Sequence, residues 1–379
     1  MKFGSDNWAG AAPEIVDALA REAAAFGGSY GESDLDKRVV AQFCELFERD
    51  VAVLFVGTGS AANGLALASV AKPGGVVFCH QGSHVITDEC GGVEQMAAVR
   101  LIGVEGKVGK IDPAALTDAI GRFEPGLRAV HHGQPVAVSI TQQNEAGGIY
   151  SLAEIGSIVS VARERDLPVH MDGSRFANAV TRLGVSPAEV TWKAGVDLLS
   201  FGGTKNGCLI AETLVIFDPA KAREVHFLRK RAGHLFSKAR FIAAQFEAYL
   251  GDGLWLKLAG NANAMADRMR SGLRALSHVR EAWPTEGNEV FLVLRSGDAK
   301  RLRDAGAVFS DWPQIYGVEA DVAPGETIVR LVTSFSTEGD EVDRFFDVLA
   351  SRSSFSGERS EVRESSISRS HGPSGQARG

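Results

Sequence analysis

A lysine and an aspartate carry the first argument. Asp172 opens the run Asp-Gly-Ser-Arg175, and Lys205 sits in Ser-Phe-Gly-Gly-Thr-Lys-Asn-Gly. Each group closes an apolar stretch that reads as a buried strand, 167–171 and 196–201. A carboxylate and an amine at the ends of neighbouring strands of an α/β sheet lie in the crevice where such sheets bind ligands. There a lysine can form a Schiff base with an aldehyde, and an aspartate can hold a protonated pyridine nitrogen. Those are the two protein groups that pyridoxal phosphate chemistry needs most. Plainer roles exist: Lys205 as a solvated turn residue, Asp172 as a helix cap. Arg175 can pair a substrate carboxylate bidentately or neutralise Asp172.

Other residues extend the pattern. Gly57-Thr-Gly-Ser-Ala-Ala-Asn63 follows a strand and opens a helix, so backbone N–H groups, a hydroxyl and a helix dipole converge on one phosphate. The spacing misses Gly-x-Gly-x-x-Gly, since the third glycine is Gly64, and the next strand ends without an acid for a ribose. His84 follows the second strand and suits a flat ring against a cofactor, or a proton carrier. His131 and His132 precede a strand and offer a second base. Arg330 lies inside Thr-Ile-Val-Arg-Leu-Val-Thr, where a buried guanidinium needs an anion. Cys79, His80, His84, Asp88 and Cys90 could be imagined around zinc, but the spacing is irregular and no metal site is expected.

Helix and strand signals alternate along most of the 379 residues, which predicts an α/β fold in two domains. Strands are expected at 51–56, 75–79, 99–104, 135–141, 167–171, 196–201 and 209–217, a seven-stranded, mostly parallel sheet. Ser33 with Asp36, and Ser151 with Glu154, spell capping boxes for two of the helices. Long helical patterns fill 220–277, and short strands at 289–294, 307–309 and 327–334 precede a closing helix at 338–349. This gives a large domain over 1–250, including an N-terminal arm, and a smaller α+β domain over 251–350. Serine and arginine dominate 351–379, and that segment is expected to be a disordered tail. A net charge of −7 and the lack of a basic stripe argue against nucleic-acid binding. No apolar run is long enough to span a bilayer. The four cysteines make no Cys-x-x-Cys pair, and the first residues have no signal-peptide core, so a cytoplasmic location is expected.

Taken together, the motifs resemble the threonine aldolase family, in the β-eliminating-lyase branch of fold-type I pyridoxal enzymes. The ordered set is Gly-Ser-Asp-Asn, Tyr30-Gly31, Thr-Gly-Ser-Ala-Ala-Asn, Ser-His-Val-Ile-Thr-Asp-Glu, Met-Asp-Gly-Ser-Arg, Gly-Thr-Lys-Asn-Gly and Val-Arg-Leu-Val-Thr, and it covers about residues 1–350. The resemblance implies pyridoxal 5'-phosphate bonded to Lys205, with Asp172 at the ring nitrogen and His84 stacked on the ring. It implies that Thr58, Gly59 and Ser60 bind the phosphate, and that Ser5, Arg175 and Arg330 hold the substrate carboxylate, Arg175 also bordering the cofactor. Tyr30 falls at or near a site, that of a neighbouring subunit included. Two motifs depart from the family. Thr141-Gln-Gln-Asn-Glu145 stands for Glu-Asn-Thr-His, and Arg231-Ala-Gly-His-Leu-Phe-Ser-Lys238 stands for a glycine-rich run. Both match a proteobacterial subgroup with a histidine before the strand, which makes His131 a candidate base beside His84.

The implied activity is an aldehyde-lyase that splits β-hydroxy-α-amino acids into glycine and an aldehyde, acetaldehyde in the case of threonine or allo-threonine. A phenylserine aldolase or an aminotransferase-like enzyme would use the same cofactor. A nicotinamide-dependent oxidoreductase on the 57–64 turn is the rival from another class. A homodimer or homotetramer with sites at subunit interfaces is expected by analogy.

Overall fold

The computed structural model describes residues 1–123, 126, 129–312 and 320–351, so the expected tail at 351–379 lies, after its first residue, outside the described residues. Seven strands form the large sheet: β1 (Ala52–Val56), β2 (Gly75–His80), β3 (Val99–Val104), β4 (Gln134–Thr141), β5 (Val169–Gly173), β6 (Leu198–Gly202) and β7 (Glu212–Ile216). Their order is β1-β7-β6-β5-β4-β2-β3, and β7 alone runs against its neighbours. Helices cover both faces, so β2, β5, β6 and β7 are buried along their whole length, as strands of a doubly covered sheet must be.

Two packing groups hold the edge that carries the chemistry. The helix Gly59–Val70 has almost no polar face and lies against β1, β4, β5, β6 and β7, buried from Ala61 to Leu67. Thr58 caps it, its hydroxyl accepting the Ala61 N–H at 3.1 Å. On the other face, Phe201 of β6 takes Phe43 edge-on at 5.3 Å and Phe246 at 6.0 Å. That clamp fixes the strand just before the lysine loop. Both expected capping boxes form, Ser33 with Asp36 and Ser151 with Glu154.

The smaller sheet is antiparallel: β8 (Arg280–Glu281), β9 (Glu289–Arg295), β10 (Ser310–Asp311) and β11 (Glu326–Val332), in the order β10-β11-β9-β8. Two features depart from the sequence reading. The arm does not belong wholly to the large domain. Lys2 bridges Val308, the Val332 N–H donates to the Phe3 carbonyl at 2.9 Å, and the fully buried Phe3 ring sits in the smaller core. A bridge over some three hundred positions leaves no periodic signal. The domain division near 250 is also not sharp, because one helix, Leu254–Leu273, serves both cores. Leu254, Trp255 and Ala259 face the larger core, and Ala266, Met269 and Leu273 the smaller.

Candidate active site

The edge where β1, β5 and β6 end and β7 begins holds a cavity of about 250 Å³. Thr58, Gly59, Ser60, His84 and Lys205 all line it, together with Ser174 and Glu212. Lys205 occupies a single helical turn, Thr204–Asn206, directly after β6, and its amine forms no hydrogen bond or ion pair among the described residues. The Gly59 and Ser60 N–H groups belong to the first turn of a helix, where no intrahelical acceptor exists. They and the Thr58 and Ser60 hydroxyls make an anion seat.

Asp172 lies behind the cavity wall, bonded to two of the lining residues. Its Oδ1 accepts the Ser174 N–H at 3.0 Å and the Ser174 hydroxyl at 2.8 Å, and its Oδ2 accepts Asn63 Nδ2 at 2.9 Å. Burial pulls this carboxyl upward, but the Lys205 and His84 charges and the Ser174 hydrogen bonds outweigh it and hold it below the usual range. Asp172 is therefore an anion at neutral pH. The same Asn63 amide donates to Glu89 Oε1 at 2.9 Å, and that oxygen pairs with His84 Nδ1 at 2.9 Å. The Glu89 hydrogen bond raises the His84 imidazole against the opposing pull of burial. His84 is thus oriented by an acid that shares a donor with Asp172. Glu145 accepts the His84 N–H at 2.9 Å, and burial pushes its carboxyl up to about 7.

A second corner assembles from three parts of the chain. Arg175, buried just past β5, makes a fork to Asp6 of the arm, Nε at 2.7 Å and Nη2 at 3.1 Å. Its Nη1 lies 3.5 Å from Glu289 of β9, and Arg330 Nη1 of β11 lies 3.7 Å from the other Glu289 oxygen. Asn288 donates to Asp6 at 3.1 Å. Burial favours protonation of Asp6, yet Arg175 and Lys205 hold it below its ordinary range. The Arg330 guanidinium sits 4.0 Å from the Trp312 ring centroid, and its Nε has no hydrogen-bond partner among the described residues. Arg175 thus pairs with Asp6 and Glu289, not with Asp172. Ser5 accepts the Asn7 N–H at 3.2 Å, and the turn Asp6–Trp8 packs on the lysine turn.

Two expected residues stand apart. His131 is exposed, three positions before β4 begins, whereas β4 meets Asp172 at its far end, Thr141. Eight residues of strand span about 25 Å, so His131 does not reach the cleft of its own chain. This corrects its reading as a base there: a histidine that precedes a parallel strand is delivered to the opposite edge. Tyr30 is exposed, with its N–H on the Ser237 carbonyl at 3.0 Å and Lys230 5.2 Å from its ring centroid. Among the described residues, no three His, Cys, Asp or Glu side chains are grouped to hold a metal.

Sequence reasoning gave no role to Asn63, Glu89, Asp6, Ser174, Glu212, Glu289 or His234. The first four lay inside quoted motifs, so their positions were visible. His234 accepts the Gly57 N–H at 3.3 Å, and it stands in the stretch that departs from the family pattern. Glu289 and Glu212 gave no signal, each being one acid at the start of an apolar strand.

The residues present fit pyridoxal phosphate. An uncommitted amine and an anion seat at a helix start face one cavity, and an anionic carboxylate lies behind its Asn63 and Ser174 lining. The beta-eliminating lyase family model matches residues 2–296. Low specificity L-threonine aldolases from a Pseudomonas species and from Pseudomonas aeruginosa are 37% and 38% identical over 307 and 308 residues, each alignment covering 81% of this chain and 88% of the relative. The chain belongs to the β-eliminating lyase family. A threonine aldolase structure from Leishmania major matches this lyase with a TM-score of 0.84 at 27% identity, covering 92% of this chain and 98% of that one.

Proposed function

We propose that this lyase is a pyridoxal-phosphate-dependent aldehyde-lyase that cleaves L-threonine and L-allo-threonine to glycine and acetaldehyde. The observation that carries the reading is the uncommitted Lys205 amine within electrostatic reach of an anionic Asp172 and of Asp6, which forks Arg175. When bound, the cofactor supplies an electron sink for the pair of electrons freed as the Cα–Cβ bond breaks. Lys205, whose amine has no other partner among the described residues, would hold the cofactor. Asp172 keeps a proton on the ring nitrogen, and the Asn63 and Ser174 donors keep Asp172 charged. Thr58, Gly59 and Ser60 hold the phosphate.

Arg175, Arg330 and Ser5 bind the substrate carboxylate. Asp6 fixes the Arg175 fork in place, so the clamp is ordered before substrate arrives. A clamped carboxylate would fix how the substrate is presented to the cofactor, and so which of its bonds is cleaved. His84, directly or through an oriented water, takes the β-hydroxyl proton, and Glu89 stabilises the charge it acquires.

The working form is a homodimer or homotetramer. Exposed Trp8, Leu209, Ile210 and Phe236 lie near the cleft mouth, where a second copy would cover them. Tyr30 then serves the neighbouring site. The cytoplasm is its compartment, and among the described residues no helix is long and apolar enough to cross a membrane. A substrate panel tests the whole reading. Purified protein should carry a visible pyridoxal chromophore and release acetaldehyde from threonine and allo-threonine; a colourless, cofactor-free protein, or benzaldehyde release from phenylserine alone, would refute it.

A further inference from the structure

Glu212 is the acid of the cleft that the cleavage above leaves unused. It opens β7, and its register partners are Val56 of β1 and Gly202 of β6. Val56 leads into the 57–60 turn, and Gly202 leads into the lysine loop. Because β7 runs backwards, it delivers its first residue to the edge where β1 and β6 deliver their last ones. A carboxyl is thereby set between the anion seat and the lysine.

The side-chain geometry agrees. Oε1 accepts the Thr204 N–H at 3.2 Å. Oε2 turns to the anion seat: a Cβ on Gly59 would lie 3.9 Å from it, and one on Gly202 3.1 Å. Glu212 is buried, at 7% exposure, and forms no ion pair among the described residues. Facing it are Lys205 on the loop after β6, Asp172 on β5, the Cys208 thiol before β7 and the Tyr249 phenol of the helix Arg240–Leu250, while the helix Gly59–Val70 offers no charged side chain. Burial pushes the Glu212 carboxyl up to about 7, and a phosphate dianion alongside drives it further, because like charges sharing one site do not both ionise.

We propose that Glu212 is a cofactor-binding residue that acts as a carboxylic acid, donating its O–H to a phosphate oxygen while the Thr204 N–H fixes its other oxygen. The inference rests on the reading that the Thr58–Ser60 turn holds the phosphate. No covalent bond changes. In alkaline solution one proton enters from water with the cofactor and leaves with it.

The test compares holoenzyme of the wild type with Glu212→Gln, whose amide donates at every pH, and Glu212→Leu, which donates at none. The dissociation constant for pyridoxal phosphate is measured from about pH 6 to about pH 10, and the ³¹P shift of the bound phosphate is followed over the same range. Wild-type affinity should fall by about tenfold per pH unit, beyond any fall in Glu212→Gln, once Glu212 loses its proton. Its ³¹P signal should move at the higher pH where the bound form loses that proton and the fall in affinity levels off, while that of Glu212→Gln stays flat. Glu212→Leu should bind about tenfold or more weakly at neutral pH. Identical pH profiles in wild type and Glu212→Gln would overturn the proposal, as would a Leu variant that binds as tightly as the Gln one. If Glu212→Leu does not fold, the other comparison decides. A wild type that binds no pyridoxal phosphate at all would instead overturn the cofactor reading on which this rests.

Discussion

The two corners of the cleft are built differently. Around Lys205 the parts come from adjacent strand ends, so the sheet itself sets their places. Around Arg175 they come from the arm, the large sheet and the smaller sheet, joined by side-chain bonds that span 169 and 282 positions. The first corner is placed by backbone geometry, with Asp172 kept charged by Lys205, His84 and the Ser174 hydrogen bonds. The second depends on charge pairing across a domain junction, and an incoming carboxylate must share its arginines with Asp6 and Glu289. On the function proposed above, chemistry would be anchored in the first corner and selection of the substrate placed in the second.

Substitutions can test that division. Lys205→Ala should abolish the visible cofactor band and lower turnover by about 10³-fold or more, measured by acetaldehyde release. In the other corner, Arg175→Lys keeps the charge and loses the fork. KM for threonine should rise by about 10- to 100-fold with a smaller change in kcat. A fall in kcat at unchanged KM would place Arg175 with the chemistry and erase the distinction. Asp6→Asn should cost about 3 kcal/mol in denaturant unfolding, because it leaves a buried guanidinium underpaired.

Acid and base should act on the buried carboxyls of the cleft in opposite senses. Asp6 and Asp172 have lowered carboxyl pKa values, so their stabilisation is present above their unfolded value near 3.8 and is lost as pH falls through the folded values. Glu212 is raised from 4.5 to about 7, so the folded chain holds a proton that the unfolded chain releases. Its contribution is full below about pH 4.5 and is lost as pH rises to about 7, on the order of 3 kcal/mol at most. The thermal midpoint should therefore fall less between about pH 5 and about pH 8 in Glu212→Gln than in the wild type; equal slopes would remove Glu212 from this account. The smallest effect should come from Thr58→Ala, about 1 kcal/mol for a lost helix cap, with a modest loss of cofactor affinity.

The first corner was readable from sequence because its residues end or follow apolar runs. Each of the seven expected strands of the large sheet has a counterpart, and Lys205 and Asp172 stand at strand ends as their positions implied. The smaller sheet was read less well. β8 and β10 are two residues long, too short for alternation to register. Arg330 was legible as a buried cation, but its neighbour Glu289 was not, since a lone acid starting β9 looks like any strand boundary. His131 was misplaced because a motif names a residue without saying which edge of the sheet receives it. Glu212 was hidden inside an apolar stretch, where a single polar residue reads as noise.

The arm crosses from one domain to the other within a dozen residues. Phe3 is plugged into the smaller core, Asp6 grips Arg175, and the Ala12 N–H donates to the Gly207 carbonyl just past the lysine turn. It works as a guy-line strung over the mouth of the cleft, and any hinge motion of the smaller sheet tugs on the clamp and on the lysine turn together. A single protease cut at the exposed Gly10, between the turn Asp6–Trp8 and the helix that starts at Pro13, would leave both elements intact while uncoupling the two.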